Sequence, residues 1–492
     1  MILEHLPILQ VAIPLVLAPL CLLLRNSRLA WVIALVGSLW AFACAVLLLT
    51  RVLNNGPLEY ALGGWEAPWG IALRIDLTGC FILLLTGLIA SLVIFWAKQS
   101  VENEIRRDQI NLFYCMYLLC LTGILGIIAT GDAFNVFVFL EISSLSSYTM
   151  IAMGRDRRAL TSSFHYLVMG TIGATFILIA IGMLYMMTGT LNMADLAERL
   201  PPLRDTTTVR AAFAFLTVGL SLKVALLPLH QWLPDAYTFA PSAVSAFLAG
   251  TSTKVALYVL LRFFFTVFGV DFVFTDLRLD VILLPLSILA IFVASIIAVF
   301  QEDVKRMLAY SSLAQIGYMT LGIALVNTSG LTATLVHMFN HALIKGGLFM
   351  AIGGLCLRIG STRFADLKGV GRAMPWTMGA IVVGGCGLIG VPLTAGFVSK
   401  WYLVIAAIEN GAWVVVVAIV LASLIAVVYV WRTVETLYFN DAEQDTSLKE
   451  APLAMLIPTW LMVILVVWAG IDTGMTVGIA ERAALALIGN SP

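Results

Sequence analysis

The sequence predicts an all-α, polytopic membrane protein of about 14 transmembrane helices, built as two inverted five-helix repeats with discontinuous helices 7 and 12. Three observations predict it. Of 492 residues, 61% are hydrophobic and only 11% charged, where a soluble domain would carry roughly a quarter charged. Mean hydropathy is +1.01, and apolar runs long enough to cross a bilayer recur along the chain. Short motifs of the first half return in the same order in the second.

The expected spans lie near 7–24, 29–50, 76–97, 111–130, 133–153, 162–188, 209–233, 240–266, 280–300, 304–326, 331–358, 375–409, 412–437 and 451–470. The seventh contains Pro228 and is followed by Pro234; the twelfth contains "GVPLTAGFVSK". Proline removes a helix donor and clashes with the preceding turn, so both should break. The loop 51–75, with "NNGPLEYALGGWEAPWG", reads as a small hairpin cap. The other long polar loop is 189–208, and the tail from 471 is mildly amphipathic. The repeats should cover 111–266 and 280–437. "HYLVMG" at 165–170 is echoed by "HALIKG" at 341–346, and "EISSLSSYTM" at 141–150 by "AYSSLAQIGYM" at 309–319. Lys223 follows His165 by 58 residues and Lys400 follows His341 by 59. An odd number of helices per copy makes the copies inverted.

Formal net charge is zero, which argues against a nucleic-acid partner; the lipid bilayer is the expected surrounding. The start runs straight into a span without a basic leader, so a cleaved secretory signal is not expected. An even span count puts both termini on one side. The opposite side collects Arg25, Arg28, Lys98, Arg106, Arg107, Arg155, Arg157, Arg158, Lys305, Arg306, Arg358, Arg363, Lys368, Arg372, Arg432 and Lys449, about twice the basic residues of the terminal side. Both termini should therefore face away from the cytoplasm of a bacterial inner membrane. The basic loops "GRDRR" and "QEDVKRM" read as ordinary anchors, and Arg262 as an interfacial one. The seven cysteines form no CxxC pair and read as small buried apolar residues rather than iron–sulfur, haem or zinc ligands. The sequence has no Walker A motif, dinucleotide fingerprint or HExxH. It gives no sign of ATP hydrolysis or electron handling, and no cofactor or metal is expected.

Four of the eight lysines, Lys223, Lys254, Lys345 and Lys400, fall inside spans, and Glu141 is the one carboxylate placed deep in a span. Each such charge costs roughly 2.5–3.5 kcal/mol on insertion scales, so five cost on the order of 15 kcal/mol, comparable with a domain's whole stability. They must be paired, hydrated or lining a cavity. Glu141 and Lys223 can form a pair in which the carboxylate favours the charged lysine and its loss favours deprotonation, a proton gate. Lys254 lies too near mid-span to snorkel well. His337, His341 and Lys345, at i, i+4 and i+8, share one helix face. With no carboxylate or cysteine at suitable spacing for a metal, they read as a hydrated proton relay. Lys400 follows the broken segment of span 12, where freed backbone groups are tolerable only in protein or a cavity. His230 and Asp235 close the seventh span, either stabilising a turn or forming the mouth of a proton inlet.

The stretches "HQWLPDAYTFAPSAVSAFLAGTSTKVALYVLLR", "EDVKRMLAYSSLAQIGYM" and "HMFNHALIKGGLFMAIG" resemble the antiporter-like proton-translocating subunits shared by respiratory complex I and the multisubunit Mrp-type cation/proton antiporters. The likeness runs over nearly the whole chain. It implies that Glu141 is the carboxylate of span 5, Lys223 the lysine of broken span 7 and Lys254 the bridging lysine of span 8. His337, His341 and Lys345 match the span 11 stripe, and Lys400 the terminal group of span 12. Length and Lys400 in place of glutamate bring the chain nearest to the D-type members of the Mrp antiporters. Many relatives carry a second histidine where this chain has Tyr237. The resemblance implies an ion-transport subunit rather than an enzyme, working with other membrane subunits on protons and Na⁺. Its alternative is a proton-pumping subunit of a complex I-like redox enzyme.

Overall fold

The computed structural model describes residues 2–24, 26–440 and 448–489; of the basic loop residues named above, Arg25 lies outside them. The chain opens with α1 (Leu6–Leu23) and α2 (Ser27–Asn55). The expected hairpin follows: β1 (Leu58–Ala61) pairs antiparallel with β2 (Ala72–Ile75), Leu58 opposite Ile75. Then come α3 (Leu77–Glu104), α4 (Ile110–Ala129), α5 (Ala133–Ala152), α6 (Arg158–Thr188) and the short α7 (Met193–Arg199). Span 7 is split into α8 (Thr207–Val224) and α9 (Trp232–Phe239). Span 8 is split as well, into α10 (Ser242–Gly250) and α11 (Ser252–Leu261). The second half holds α12 (Leu279–Val299), α13 (Val304–Ala324), α14 (Thr328–Ile359), the broken pair α15 (Pro375–Ile389) and α16 (Ala395–Glu409), α17 (Trp413–Val434), α18 (Leu453–Ile471) and α19 (Gly474–Ile488).

Polar side chains set the starts of these apolar helices by accepting from free first-turn amides. Asp76 accepts from Gly79 N at 2.9 Å, Asp132 from Asn135 N at 2.8 Å, Asp303 from Arg306 N at 3.1 Å and Asn327 from Gly330 N at 2.8 Å. Asp132 also bridges by its backbone to Asn192, after α6, and Asp303 to Arg363, after α14.

Among the described residues, 12 helices are long and apolar enough to cross a membrane, or 13 with one bent pair counted as a span. Two of the 14 expected spans, the tenth and the twelfth, account for the difference between 14 and 12. Nearly every residue of α13 is buried, so it contacts protein rather than lipid and can carry serines and Gln315 without an apolar composition. α15 and α16 are each half-length because span 12 is broken. The tail beyond 471 is the helix α19, packed against α14 and α3. α3, α4, α10 with α11, and α14 lie mostly inside, whereas α1, α2, α6, α12 and α17 turn much of their surface outward.

Candidate functional site

Each break in a span leaves backbone carbonyls without helical donors, and at three of the breaks a lysine takes them up or stands beside them. α8 stops because Ala225 adopts a left-handed conformation, φ 63°, and proline prevents its continuation. Trp232 Nε1 donates to the freed carbonyl of Leu222 at 2.9 Å, and Leu226 N to that of Ser221 at 3.0 Å. Lys223, next in the chain after these two residues, turns its ammonium to α5, where it donates to Ser144 Oγ at 2.9 Å and to Glu141 Oε1 at 3.4 Å. The lysine side chain is buried and the glutamate is one-quarter exposed, so Glu141 faces the edge of the protein.

Span 8 breaks at Thr251, whose φ −120° and ψ −60° leave the helical region. The Lys254 ammonium folds back onto this break, donating to Ala249 O and, at 3.4 Å, to Thr253 Oγ1. In span 12, α15 ends at Gly390, φ 88°. Lys400 reaches across to donate to Ile389 O at 2.7 Å, Leu388 O at 3.3 Å and Ser423 Oγ at 3.2 Å. It also lies 4.9 Å from the centre of the Tyr318 ring, a cation–π contact. A Cβ on Gly390 would stand 3.1 Å from Lys400 Cδ, so glycine supplies both the turn and the room. Carbonyls at a helix C-terminus carry partial negative charge. At Lys254 and Lys400 the breaks thus offset part of the cost of holding a cation at this depth, and they do so without a counter-ion that would lock the proton in place.

α14 joins these lysines. His337 Nδ1 is 2.7 Å from Ser399 Oγ and its Nε2 3.0 Å from Gln315 Oε1. The His341 ring stacks parallel to it, centroids 6.0 Å apart. Both His341 nitrogens are buried with no partner among the described residues, so the ring can take a proton or a bridging water on either side. Lys345 donates to Leu308 O at 2.7 Å and to Ser311 Oγ. Lys254 and Lys345 are 1% and 0% exposed. Lys254 is close enough to His337, His341 and Lys345 for each to feel its charge, and His337 to feel that of Lys400. Among the described residues, the one charged neighbour of Lys223 in this sense is Glu141.

His230 and Asp235 are held separately. His230 contacts Pro228 O at 3.2 Å within its own turn, whereas Asp235 Oδ1 pairs with Arg306 on α13 at 3.3 Å.

Three features escaped the sequence reading. Lys305 is not a surface anchor; it is buried and donates to Ala240 O, at the end of α9, at 2.9 Å. Arg262 is not an interfacial anchor either. It is buried, ion-paired with Asp76, and donates from Nε to Tyr258 Oη at 2.9 Å. Burial works against charge on Asp76, but the Arg262 guanidinium and the Gly79 amide outweigh it and hold the carboxyl below its ordinary value. The third is the set of hydroxyls around the lysines, Ser144, Ser311 and Ser423. Among the described residues, no group of three His, Cys, Asp or Glu could hold a metal ion.

Known proteins are similar to this chain in sequence and in fold. The family described as NADH:quinone oxidoreductase/Mrp antiporter, TM matches residues 130–426. The N subunit of an NADH-quinone oxidoreductase from Desulforudis audaxviator is 42% identical over 91% of this chain and 89% of its own. The D-type subunit of a Na(+)/H(+) antiporter from Alkalihalophilus pseudofirmus is 31% identical over 84% of this chain and 82% of its own. In structure, a chain of the membrane-bound sulfane sulfur reductase, an archaeal respiratory membrane complex, superposes with a TM-score of 0.90 at 30% identity, covering 98% of each chain. A chain of the Mrp complex from Dietzia sp. DQ12-45-1b gives 0.90 at 24% identity over 99% and 98%, a likeness of fold.

Proposed function

The chain belongs to the NADH:quinone oxidoreductase/Mrp antiporter transmembrane family, and from that premise we propose that it moves protons along a buried row of lysines and histidines as a subunit of a multisubunit monovalent cation/proton antiporter. The row runs from Lys223, modulated by Glu141, through Lys254 and His341 with Lys345, to Lys400, with bridging waters. His337 orients the far end, and His230 and Asp235 flank the break of span 7. One observation carries the reading: three buried lysines sit at helix breaks and are stabilised by carbonyls and hydroxyls instead of being locked by strong ion pairs. A lysine so placed can release its proton, as a lysine held by two carboxylates cannot.

The duplication, 111–266 and 280–437, is part of this reading. Asp132 caps α5 and bridges to the loop after α6; Asp303 caps α13 and bridges to the loop after α14. The two motifs recur at matching places in the two halves, as a duplication requires, and an odd number of helices per copy puts them on opposite sides. Na⁺ is the proposed exchanged cation, the other membrane subunits of an Mrp-type complex are the partners, and both termini face away from the cytoplasm of a bacterial inner membrane.

A second reading has specific support: the 42% identity to an oxidoreductase N subunit and the 30% identity to a respiratory reductase chain favour a redox-driven complex using the same proton row. Purifying the native complex and identifying its subunits decides between them. Small hydrophobic antiporter subunits together with sodium-induced proton flux support the antiporter. Iron–sulfur or quinone-site subunits support the redox complex.

A further inference from the structure

The row of titratable groups has a gap. Lys254 lies close enough to act on His337, His341 and Lys345, and Lys400 on His337, but the one charged neighbour of Lys223 among the described residues is Glu141. Between Lys223 and Lys254 runs a series of hydroxyls. Lys223 donates to Ser144 on α5 at 2.9 Å. One helical turn on, Tyr148 turns its edge to the ring of Tyr166 on α6, centroids 4.5 Å apart and planes at 81°. Tyr166 stacks flat on Trp232, at 3.9 Å and 4°, the tryptophan whose Nε1 closes the break beside Lys223. The Tyr166 hydroxyl reaches Ser252, at the break of span 8. The next residue, Thr253, contacts the Lys254 ammonium at 3.4 Å and lies within reach of the Tyr237 hydroxyl.

Two details mark this lane as more than packing. The Tyr148 hydroxyl is buried and has no hydrogen-bond partner in ordinary geometry among the described residues, although Ser144 lies within its electrostatic reach. A buried unpartnered hydroxyl costs about 1–3 kcal/mol and calls for a water. Gly170 also keeps room for the hydroxyl itself: a Cβ there would lie 1.8 Å from Tyr148 Oη, so any larger residue at 170 would displace that oxygen.

We infer that Ser144, Tyr148, Tyr166 and Ser252 form a hydroxyl wire that carries protons between Lys223 and Lys254, with water where two hydroxyls do not meet. The wire presupposes the proton row proposed above. In one passage Lys223 gives a proton to the first oxygen, each hydroxyl accepts one proton while passing its own onward, and the last gives one to the neutral Lys254 amine. One N–H bond breaks, one forms, each oxygen ends with the proton count it began with, and the hydroxyls then rotate back. No oxidant or co-reactant takes part.

Tyr148→Phe, Tyr166→Phe and the double variant keep the rings, the edge contact and the Trp232 stack, and remove only the hydroxyls. They are made in the assembled complex beside Lys223→Ala, and proton flux is measured per assembled complex. Expected are normal assembly, a loss of roughly tenfold in the double variant, about 1.4 kcal/mol in the barrier, and a loss from Tyr148→Phe alone. Tyr148 is the sharper test, since its hydroxyl holds no bond of ordinary geometry whose removal could unfold the protein. If both single variants and the double variant keep more than half the flux while Lys223→Ala abolishes it, the wire is refuted and the lysine row stands. If Lys223→Ala itself transports normally, the row fails and the wire with it.

Discussion

The ammonium of Lys223 lies nearer the hydroxyl of Ser144, at 2.9 Å, than the carboxylate of Glu141, at 3.4 Å. The ion pair is therefore loose. A carboxylate at that distance biases the lysine toward its charged form without holding the proton in a short charge-assisted bond, which would run about 2.7–2.9 Å. Glu141 is also partly exposed, so a charge brought against that face would strengthen or weaken that bias. This is the arrangement a proton gate needs.

The orientation can be read chemically. Asp156 lies in an exposed loop on the basic side, and Gly63 is exposed at the hairpin on the other. Single cysteines at 156 and 366 should be protected from an impermeant thiol reagent in intact cells, and cysteines at 63 and 205 should react. Labelling of 156 but not 63 reverses the topology.

The Asp76–Arg262 pair ties the start of α3 to the end of α11. Removing one partner of a buried pair typically costs about 3–5 kcal/mol, because the other charge is stranded. Asp76→Asn and Arg262→Gln should each lower the melting temperature of the purified complex, and the double variant should lose clearly less than the sum of the two. Additive losses would show that the two charges are not coupled. Because the Asp76 carboxyl is held below its ordinary value, its contribution is complete above the unfolded carboxylate range, about pH 4. It is lost only as acid takes the pH down through the folded value. The difference in melting temperature between the native protein and Asp76→Asn should therefore be the same at neutral pH as in mild acid, and shrink only in strong acid.

How much of this was legible in the sequence depends on how far apart the interacting residues lie. A lysine inside an apolar run announces itself, and so did the breaks at Pro228 and in "GVPLTAG". The break of span 8 did not, because Gly250, Thr251 and Ser252 include no proline and a helix could run through them; the tertiary fold makes the bend. Arg262 looked like an anchor because Asp76 is 186 residues away. Lys305 looked like a loop charge because its acceptor, Ala240 O, is a backbone atom freed only by a helix end. Serines and tyrosines near a charge look like those that merely pack, so the hydroxyls around Lys223 and Lys345 carried no signal.

The chain alone should not exchange cations for protons. A hard cation such as Na⁺ asks for several oxygen ligands, and Glu141, the carboxylate beside Lys223, already faces that ammonium. Vesicles holding only this purified protein should show no sodium-driven proton movement, whereas vesicles holding the complex should. Robust exchange by the isolated chain would place the cation site within it.

The sharpest test of the row is a change that keeps the charge and removes its mobility. If Lys223 only neutralises Glu141, Lys223→Arg should work well, since arginine pairs with carboxylates with good geometry and can still donate to Ser144. If Lys223 passes its proton onward, arginine fails, because a guanidinium is effectively never deprotonated in a protein. The expected result is that Lys223→Arg assembles normally and loses most of the transport, roughly as much as Lys223→Ala, a loss of tenfold or more corresponding to about 1.4 kcal/mol or more of barrier. Glu141→Asp keeps the negative charge on a shorter arm and should be milder than Glu141→Ala, which removes the bias that keeps Lys223 charged. The measurement is cation-induced proton flux in vesicles, corrected for assembled complex. Near-normal flux in the arginine variant would leave Lys223 as a counter-ion and move the start of the proton row elsewhere.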